Sequence, residues 1–220
     1  MVPPLVIFDC DGVLVDSERI ASSVLCSQLA EVGLILDPSE TDRRFRGRSL
    51  ADCLSLIEAD LPRPLPQDFV QHLNERTYAA FRASLQAVDG VHEAIEALVE
   101  KGVKVCVASS GSHEKMLLTL GLTGLLPFFE GRCFSASDVV HGKPAPDLFL
   151  YAAAQMNEDP STSVVIEDSL TGATGAHRAG ARVLAYVPTH QAAEATSRAF
   201  RELGAEVFER MDELAPLLFQ

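Results

Sequence analysis

Four short apolar runs, at residues 5–8, 103–108, 164–166 and 183–187, each stop at a polar or turn residue. Runs this short and this uniformly apolar are strands buried on both faces, as in a parallel sheet covered on each side by helices. Helix-period segments lie between them. Residues 92–101 place Ile95, Leu98 and Val99 on one face, and Gly102 follows as a C-terminal cap. Pro146 opens a second helix that runs through Met156, in the first-turn position where proline is tolerated. Residues 170–179 form a third, closed by Gly180. Strands alternating with helices of this length are βαβ units, so the fold class is α/β with a doubly wound parallel sheet.

The alternation is interrupted once. From Ser17 to Ser84 the pattern is helical only, at 20–32, 50–59 and 67–81, with loops at Asp37-Pro38 and through the prolines at 62, 64 and 66. The domain organisation read here is a core of residues 1–16 and 85–220, with an all-helical insert at 17–84. The crossings at 15–17 and 82–89 are natural hinges, the second followed by Gly90.

Composition narrows the function classes. Acidic side chains outnumber basic ones 31 to 18, for a net charge of −13, so neither nucleic acid nor an anionic membrane is expected as a partner. No window approaches the roughly 18 consecutive apolar residues of a membrane span. The first cationic side chain is Arg19, and no basic leader precedes the first strand. The five cysteines, at 10, 26, 53, 106 and 133, form no C-x-x-C pair and fit neither a disulfide framework nor a zinc site. A cytoplasmic, monomeric protein is expected.

Ligands of open α/β sheets bind beyond the carboxyl ends of the strands. There this sequence places Asp9 and Asp11, then Ser109 and Ser110, then Glu167 and Asp168, with Gly142-Lys143-Pro144 in a loop before another helix. Taken singly, each residue has an ordinary structural use. A carboxylate or serine at a strand end caps a turn, and a lysine sits in solvent. Four carboxylates gathered in one crevice repel each other unless a cation joins them, and a hard divalent ion with oxygen ligands, Mg2+, is the natural one. Lysine is scarce here, 4 against 14 arginines, which gives Lys143 more weight as a point charge in a small site.

These segments resemble the four motifs of the haloacid dehalogenase superfamily phosphatases. Phe8-Asp9-Cys10-Asp11-Gly12-Val13-Leu14-Val15-Asp16-Ser17-Glu18 is similar to the first motif, and Val107-Ala108-Ser109-Ser110-Gly111 to the second. Gly142-Lys143-Pro144-Ala145-Pro146-Asp147 resembles the third, and Val165-Ile166-Glu167-Asp168-Ser169-Leu170-Thr171-Gly172 the fourth. The helical insert lies where that superfamily places a cap, and the pattern is closest to its β-phosphoglucomutase-like branch, among sugar-phosphate phosphatases.

The resemblance implies roles. Asp9 is the expected nucleophile, forming an aspartyl phosphate. Asp11 is the expected general acid and base. Mg2+ is expected on the Asp9 carboxylate, the Asp11 carbonyl and Asp168, with Glu167 on or behind it. Lys143 and Ser109 are expected to hold the phosphoryl group with the N–H groups of the Cys10, Asp11 and Ser110 region, next to Gly111. Relatives that cleave carbon–halogen or carbon–phosphorus bonds lack a carboxylate two residues after the nucleophile, so Asp11 points to phosphate esters.

A phosphosugar mutase is the alternative. β-Phosphoglucomutases carry a His where this chain has Ala21 and an Arg where it has Leu50, and both departures favour a hydrolase. A phospho-aspartate signalling or binding protein is a third reading, but a receiver domain has no use for the insert or for Asp11. Arg43, Arg44, Arg46 and Arg48 crowd the insert. Arg46 and Arg48, flanking Gly47, are the candidates for binding the far end of an anionic metabolite such as a sugar or sugar-acid phosphate, 6-phosphogluconate being one. His113 either reaches the substrate or faces solvent at a helix start, His141 is structural or exposed, Cys10 is expected in the core, and Met116, Leu117, Leu120 and Leu122 as helix core.

Overall fold

The computed structural model describes residues 2–45, 50–189 and 194–219. In chain order the elements are β1 (Leu5–Phe8), α1 (Glu18–Glu31), α2 (Pro38–Phe45), α3 (Leu50–Asp60), α4 (Phe69–Ser84), α5 (Val91–Glu100) and β2 (Lys104–Ser109). Then come α6 (His113–Leu122), α7 (Leu126–Phe129), β3 (Cys133–Ser135), α8 (Asp147–Gln155) and β4 (Val164–Glu167). The chain closes with α9 (Leu170–Arg178), β5 (Arg182–Tyr186), α10 (Glu194–Glu202), β6 (Glu206–Phe208) and α11 (Leu214–Leu218).

The six strands form one sheet in the order β3-β2-β1-β4-β5-β6, and every neighbouring pair is parallel. The chain winds outward from β1 first to one edge and then to the other, which is the doubly wound α/β arrangement expected. The two central strands, β1 and β4, are buried along their whole length, which is why they carry no polar residue before their last positions. Ile7, Cys106, Val165 and Ala185 pack with Leu148, Phe149 and Ala152 of α8, Ala173 and Ala176 of α9, and Phe200 of α10. Phe8 points the other way along β1, and its ring meets Phe129 edge-on at 6.1 Å. Helix α9 comes close to its neighbours because its inner face is Gly and Ala. A Cβ on Gly175 would lie 2.9 Å from the Ala145 carbonyl oxygen and 3.1 Å from the Phe149 ring.

Contacts divide the chain into two compact units, Met1–Val15 with Ala87–Gln220, and Asp16–Gln86. In the second unit Leu29, Phe45, Cys53, Ile57, Phe69 and Leu73 form a core of their own. Gln28 Nε2 donates to the Phe69 carbonyl at 2.7 Å and ties α1 to the start of α4.

Several expectations need correction. Ile95 and Leu98 of α5 are fully buried, but Val99 is 47% exposed, because the buried stripe turns past it after one helical turn. In α6 Met116 and Leu120 are buried, whereas Leu117 and Leu122 are 51% and 41% exposed. Pro146 is the N-cap residue of α8 rather than a member of its first turn. The described residues also contain strands β3 and β6 and helices α2 and α10, beyond the segments expected.

Candidate active site

Most of the candidate side chains follow the carboxyl ends of three adjacent strands, β2, β1 and β4. Asp9 follows β1 directly and is 8% exposed, with its N–H donating to the Ile166 carbonyl of β4 at 2.9 Å. The chain then turns sharply: the N–H groups of Leu14 and Val15 both donate to the Cys10 carbonyl, and Gly12 N–H donates to that of Val15. Gly12 makes the turn with φ of +80°, and a Cβ there would lie 2.2 Å from Asp168 Oδ2. Only glycine permits both the conformation and the approach.

Lys143 joins the strand ends. Its ammonium, on a side chain only 4% exposed, donates to Asp9 Oδ1 and to Glu167 Oε1, each at 2.5 Å. It also lies 5.2 Å from the centre of the Phe149 ring. Glu167, wholly buried, is held from its other side: the Ser169 N–H and hydroxyl donate to Oε2 at 3.1 and 2.9 Å. Ser169 in turn caps α9 by accepting from Gly172 N–H at 3.0 Å. A Cβ on Gly172 would fall 1.8 Å from Glu167 Oε1, so the glycine makes room for the carboxylate.

Asp9, Glu167 and Asp168 each offer a carboxylate oxygen, all within 4.8 Å of one another. Lys143 answers two of these carboxylates, Asp9 and Glu167. The donors are all oxygen, so a hard divalent cation fits this cluster. Burial pushes the Asp9 carboxyl up to about 7 against the pull of Lys143, and Glu167 and Asp11 push the same way. Burial alone would lower the Lys143 ammonium, but Asp9 and Glu167 outweigh it and hold it above the ordinary lysine value.

At the end of β2, Ser109 is buried and its hydroxyl accepts from Gly111 N–H at 3.0 Å. The Ser135 hydroxyl donates to the Gly111 carbonyl at 2.8 Å and fixes the same loop from β3. Ser110 is exposed. Cys10 is 1% exposed, with its sulfur 3.8 Å from Thr119 Oγ1, and burial pushes its thiol far up. It is inert core, as its alternation implied. Arg46 and Arg48 lie outside the described residues. Arg44 pairs with Asp60, and Arg43 with Glu40 at 3.6 Å. His113 meets Asp138 at 2.8 Å and His141 meets Asp147 at 3.1 Å, both imidazoles substantially exposed.

The fold agrees with what comparison with known proteins finds. The family model for haloacid dehalogenase-like hydrolases matches residues 3–180. The chain belongs to this family. Among curated relatives of this haloacid dehalogenase-like hydrolase is the 6-phosphogluconate phosphatase of Escherichia coli K12, 32% identical over 179 residues, 81% of this chain and 80% of that protein. The phosphorylated carbohydrates phosphatase of Thermotoga maritima is 29% identical over 214 residues, 97% of each chain. A haloacid dehalogenase family hydrolase of Deinococcus radiodurans R1, solved with bound phosphate and sodium, superposes with a TM-score of 0.81 at 34% identity, over 100% of this chain and 99% of that one.

One residue at the site of this hydrolase escaped the sequence reading. Lys115 Nζ donates to Asp11 Oδ2 at 2.8 Å from the first turn of α6. Burial would lower its ammonium, but Asp11 outweighs it and raises it. The available signal was its place. A helix N-terminus disfavours cations, and a lysine there asks for a nearby carboxylate.

Proposed function

We propose that this hydrolase is a Mg2+-dependent phosphatase that removes the phosphoryl group of a small sugar or sugar-acid phosphate through an aspartyl phosphate on Asp9. That it is a phosphoric monoester hydrolase follows from its family and its phosphatase relatives. The observation that carries the mechanism is the Lys143 ammonium bridging Asp9 and Glu167, with a second carboxylate, Asp11, two residues beyond the first.

In this reading an Asp9 carboxylate oxygen attacks the phosphorus atom, and the ester oxygen leaves as Asp11 gives it a proton. Asp11 then takes a proton from a water molecule, which attacks the aspartyl phosphate and frees Asp9. Lys143 and the Ser109 hydroxyl offer donors to the phosphoryl oxygens, on which negative charge is spread in the transition state. Asp9, the Asp11 carbonyl and Asp168 would hold the cation, with Glu167 behind them because both its oxygens already accept hydrogen bonds. Bound Mg2+ supplies further positive charge against the phosphoryl oxygens. Lys143 keeps the nucleophile oriented while the substrate comes and goes.

The sugar-acid preference rests on the E. coli relative named for 6-phosphogluconate and on the insert's arginines, including Arg46 and Arg48. The test is free phosphate released by the purified protein with Mg2+ from 6-phosphogluconate, hexose phosphates, hexitol phosphates and nucleoside monophosphates. Turnover of a sugar or sugar-acid phosphate, abolished by Asp9→Asn, is expected. Silence across the panel, or an unimpaired Asp9→Asn protein, overturns the reading.

A further inference from the structure

Helix α6 grips the β1 turn at two consecutive residues. Lys115 and Thr119 stand one turn apart on the same face of the helix. Lys115 donates to Asp11 at 2.8 Å, and Thr119 Oγ1 lies 3.8 Å from Cys10 Sγ. The helix is itself well anchored. Ser112 caps it by accepting from Lys115 N–H at 3.2 Å, and Met116, Thr119 and Leu120 are buried. The lysine stem passes close under the loop after β2, so that a Cβ on Gly111 would touch Lys115 Cδ at 3.4 Å.

This position is a poor one for a lysine on grounds of helix stability. A cation in the first turn faces the positive end of the helix dipole, which disfavours it. Nor does the pair promise much stability in return, because both side chains keep contact with solvent, at 27% and 23% exposure. What the pair does supply is direction, since a donor anchored on α6 and bound to Oδ2 limits how the Asp11 carboxylate can turn.

We propose that Lys115 is a positioning residue for catalysis. By holding Asp11 Oδ2 it keeps the other carboxylate oxygen, Oδ1, turned toward the ester oxygen that departs from phosphorus. The proposal rests on Asp11 acting as the acid in the reading above. It assigns to α6 the task of aiming that acid, separate from the grip of Lys143 on the nucleophile. Proton donation matters most when the leaving oxygen is strongly basic, as in a sugar phosphate, and least for p-nitrophenolate. Misdirecting Asp11 therefore penalises substrates in the order of their leaving-group basicity, whereas a general loosening of the site penalises them alike.

The experiment compares kcat/KM of the wild type, Lys115→Met and Lys115→Arg on 6-phosphogluconate, phenyl phosphate and p-nitrophenyl phosphate, with a melting curve for each protein. For Lys115→Met a loss of about 10- to 100-fold on phenyl phosphate and 6-phosphogluconate is expected, against less than about 3-fold on p-nitrophenyl phosphate. Lys115→Arg, which keeps a cationic donor, recovers part of the lost rate on the basic leaving groups. The melting temperature of Lys115→Met stays within a few degrees of wild type. Equal losses on every ester, a loss confined to KM, or no loss at all overturns the role of Lys115 and leaves the phosphatase reading standing. A wild-type protein that hydrolyses none of the three esters overturns the phosphatase reading and the role of Lys115 together.

Discussion

Alanine at Gly12 tests whether Asp168 holds a metal ion, because the methyl group would enter the space that the Asp168 carboxylate occupies. Two costs arise. The first is conformational: at φ of +80° an L-residue pays about 1–2 kcal/mol. The second is steric. The new carbon would stand 2.2 Å from Oδ2 and 2.8 Å from Cγ of Asp168. Ordinary contact begins at about 3.5 Å, so the carboxylate must retreat by about 1 Å or more. That draws one of three carboxylates out of the cluster that otherwise fits within 4.8 Å. Gly102→Ala is the control, since Gly102 has φ of +76° and nothing within 4 Å of an added Cβ. Both variants lose the conformational cost of about 1–2 kcal/mol, at roughly 2–4 °C in melting temperature for each kcal/mol measured in chelator, and Gly12→Ala loses more through the displaced carboxylate. Only Gly12→Ala weakens Mg2+ binding, by about 10- to 100-fold, read by calorimetric titration and by the Mg2+ concentration giving half-maximal phosphate release. If Gly12→Ala binds Mg2+ as tightly as Gly102→Ala, Asp168 is not a ligand and the reasoning fails.

Two more outcomes follow from the same cluster. The Asp9 carboxyl rises from an ordinary 3.8 to about 7 on folding, so in chelator the folded chain takes up a proton between those values. Relative to Asp9→Asn, the wild type then loses stability as pH climbs from about 4 to about 7 and is level above. Melting curves that run parallel for the two proteins refute this. Lys143→Met removes the ammonium shared by Asp9 and Glu167. Ionised carboxylates within 4.8 Å of each other repel by at least about 3 kcal/mol at an effective dielectric of 20, so above the Asp9 titration the metal-free variant melts below wild type. Saturating Mg2+ restores much of the melting temperature but not turnover, which stays down by at least about 100-fold. Recovery of phosphate release along with stability would remove Lys143 from the chemistry.

Strands β1, β2, β4 and β5 were legible in the sequence because two-sided burial demands unbroken apolar runs. Strands β3 and β6 were not, since each is only three residues long and lies at a sheet edge, where one flank has no neighbour and little pattern is imposed. Helices α2 and α10 are strongly polar overall, so no apolar run marks them, although each has one face less polar than the other. Val99 and Leu117 show the limit of periodicity from the other side: apolar residues beside a buried stripe need not join it. At the site, Asp9, Glu167 and Lys143 were readable because each ends a strand or fills a recognisable turn. Lys115 was not, for its partner is fixed by where α6 docks, and docking is a tertiary fact.

The placement of β1 between β2 and β4 has a consequence for biosynthesis. Val6 pairs with Val105 on one side and with Val164 on the other. A chain emerging from the ribosome therefore presents its innermost strand, entirely apolar, with an unsatisfied flank until most of the polypeptide has been made. In that interval the strand's open flank invites pairing with foreign chains, a hazard that ends only when β4 closes it.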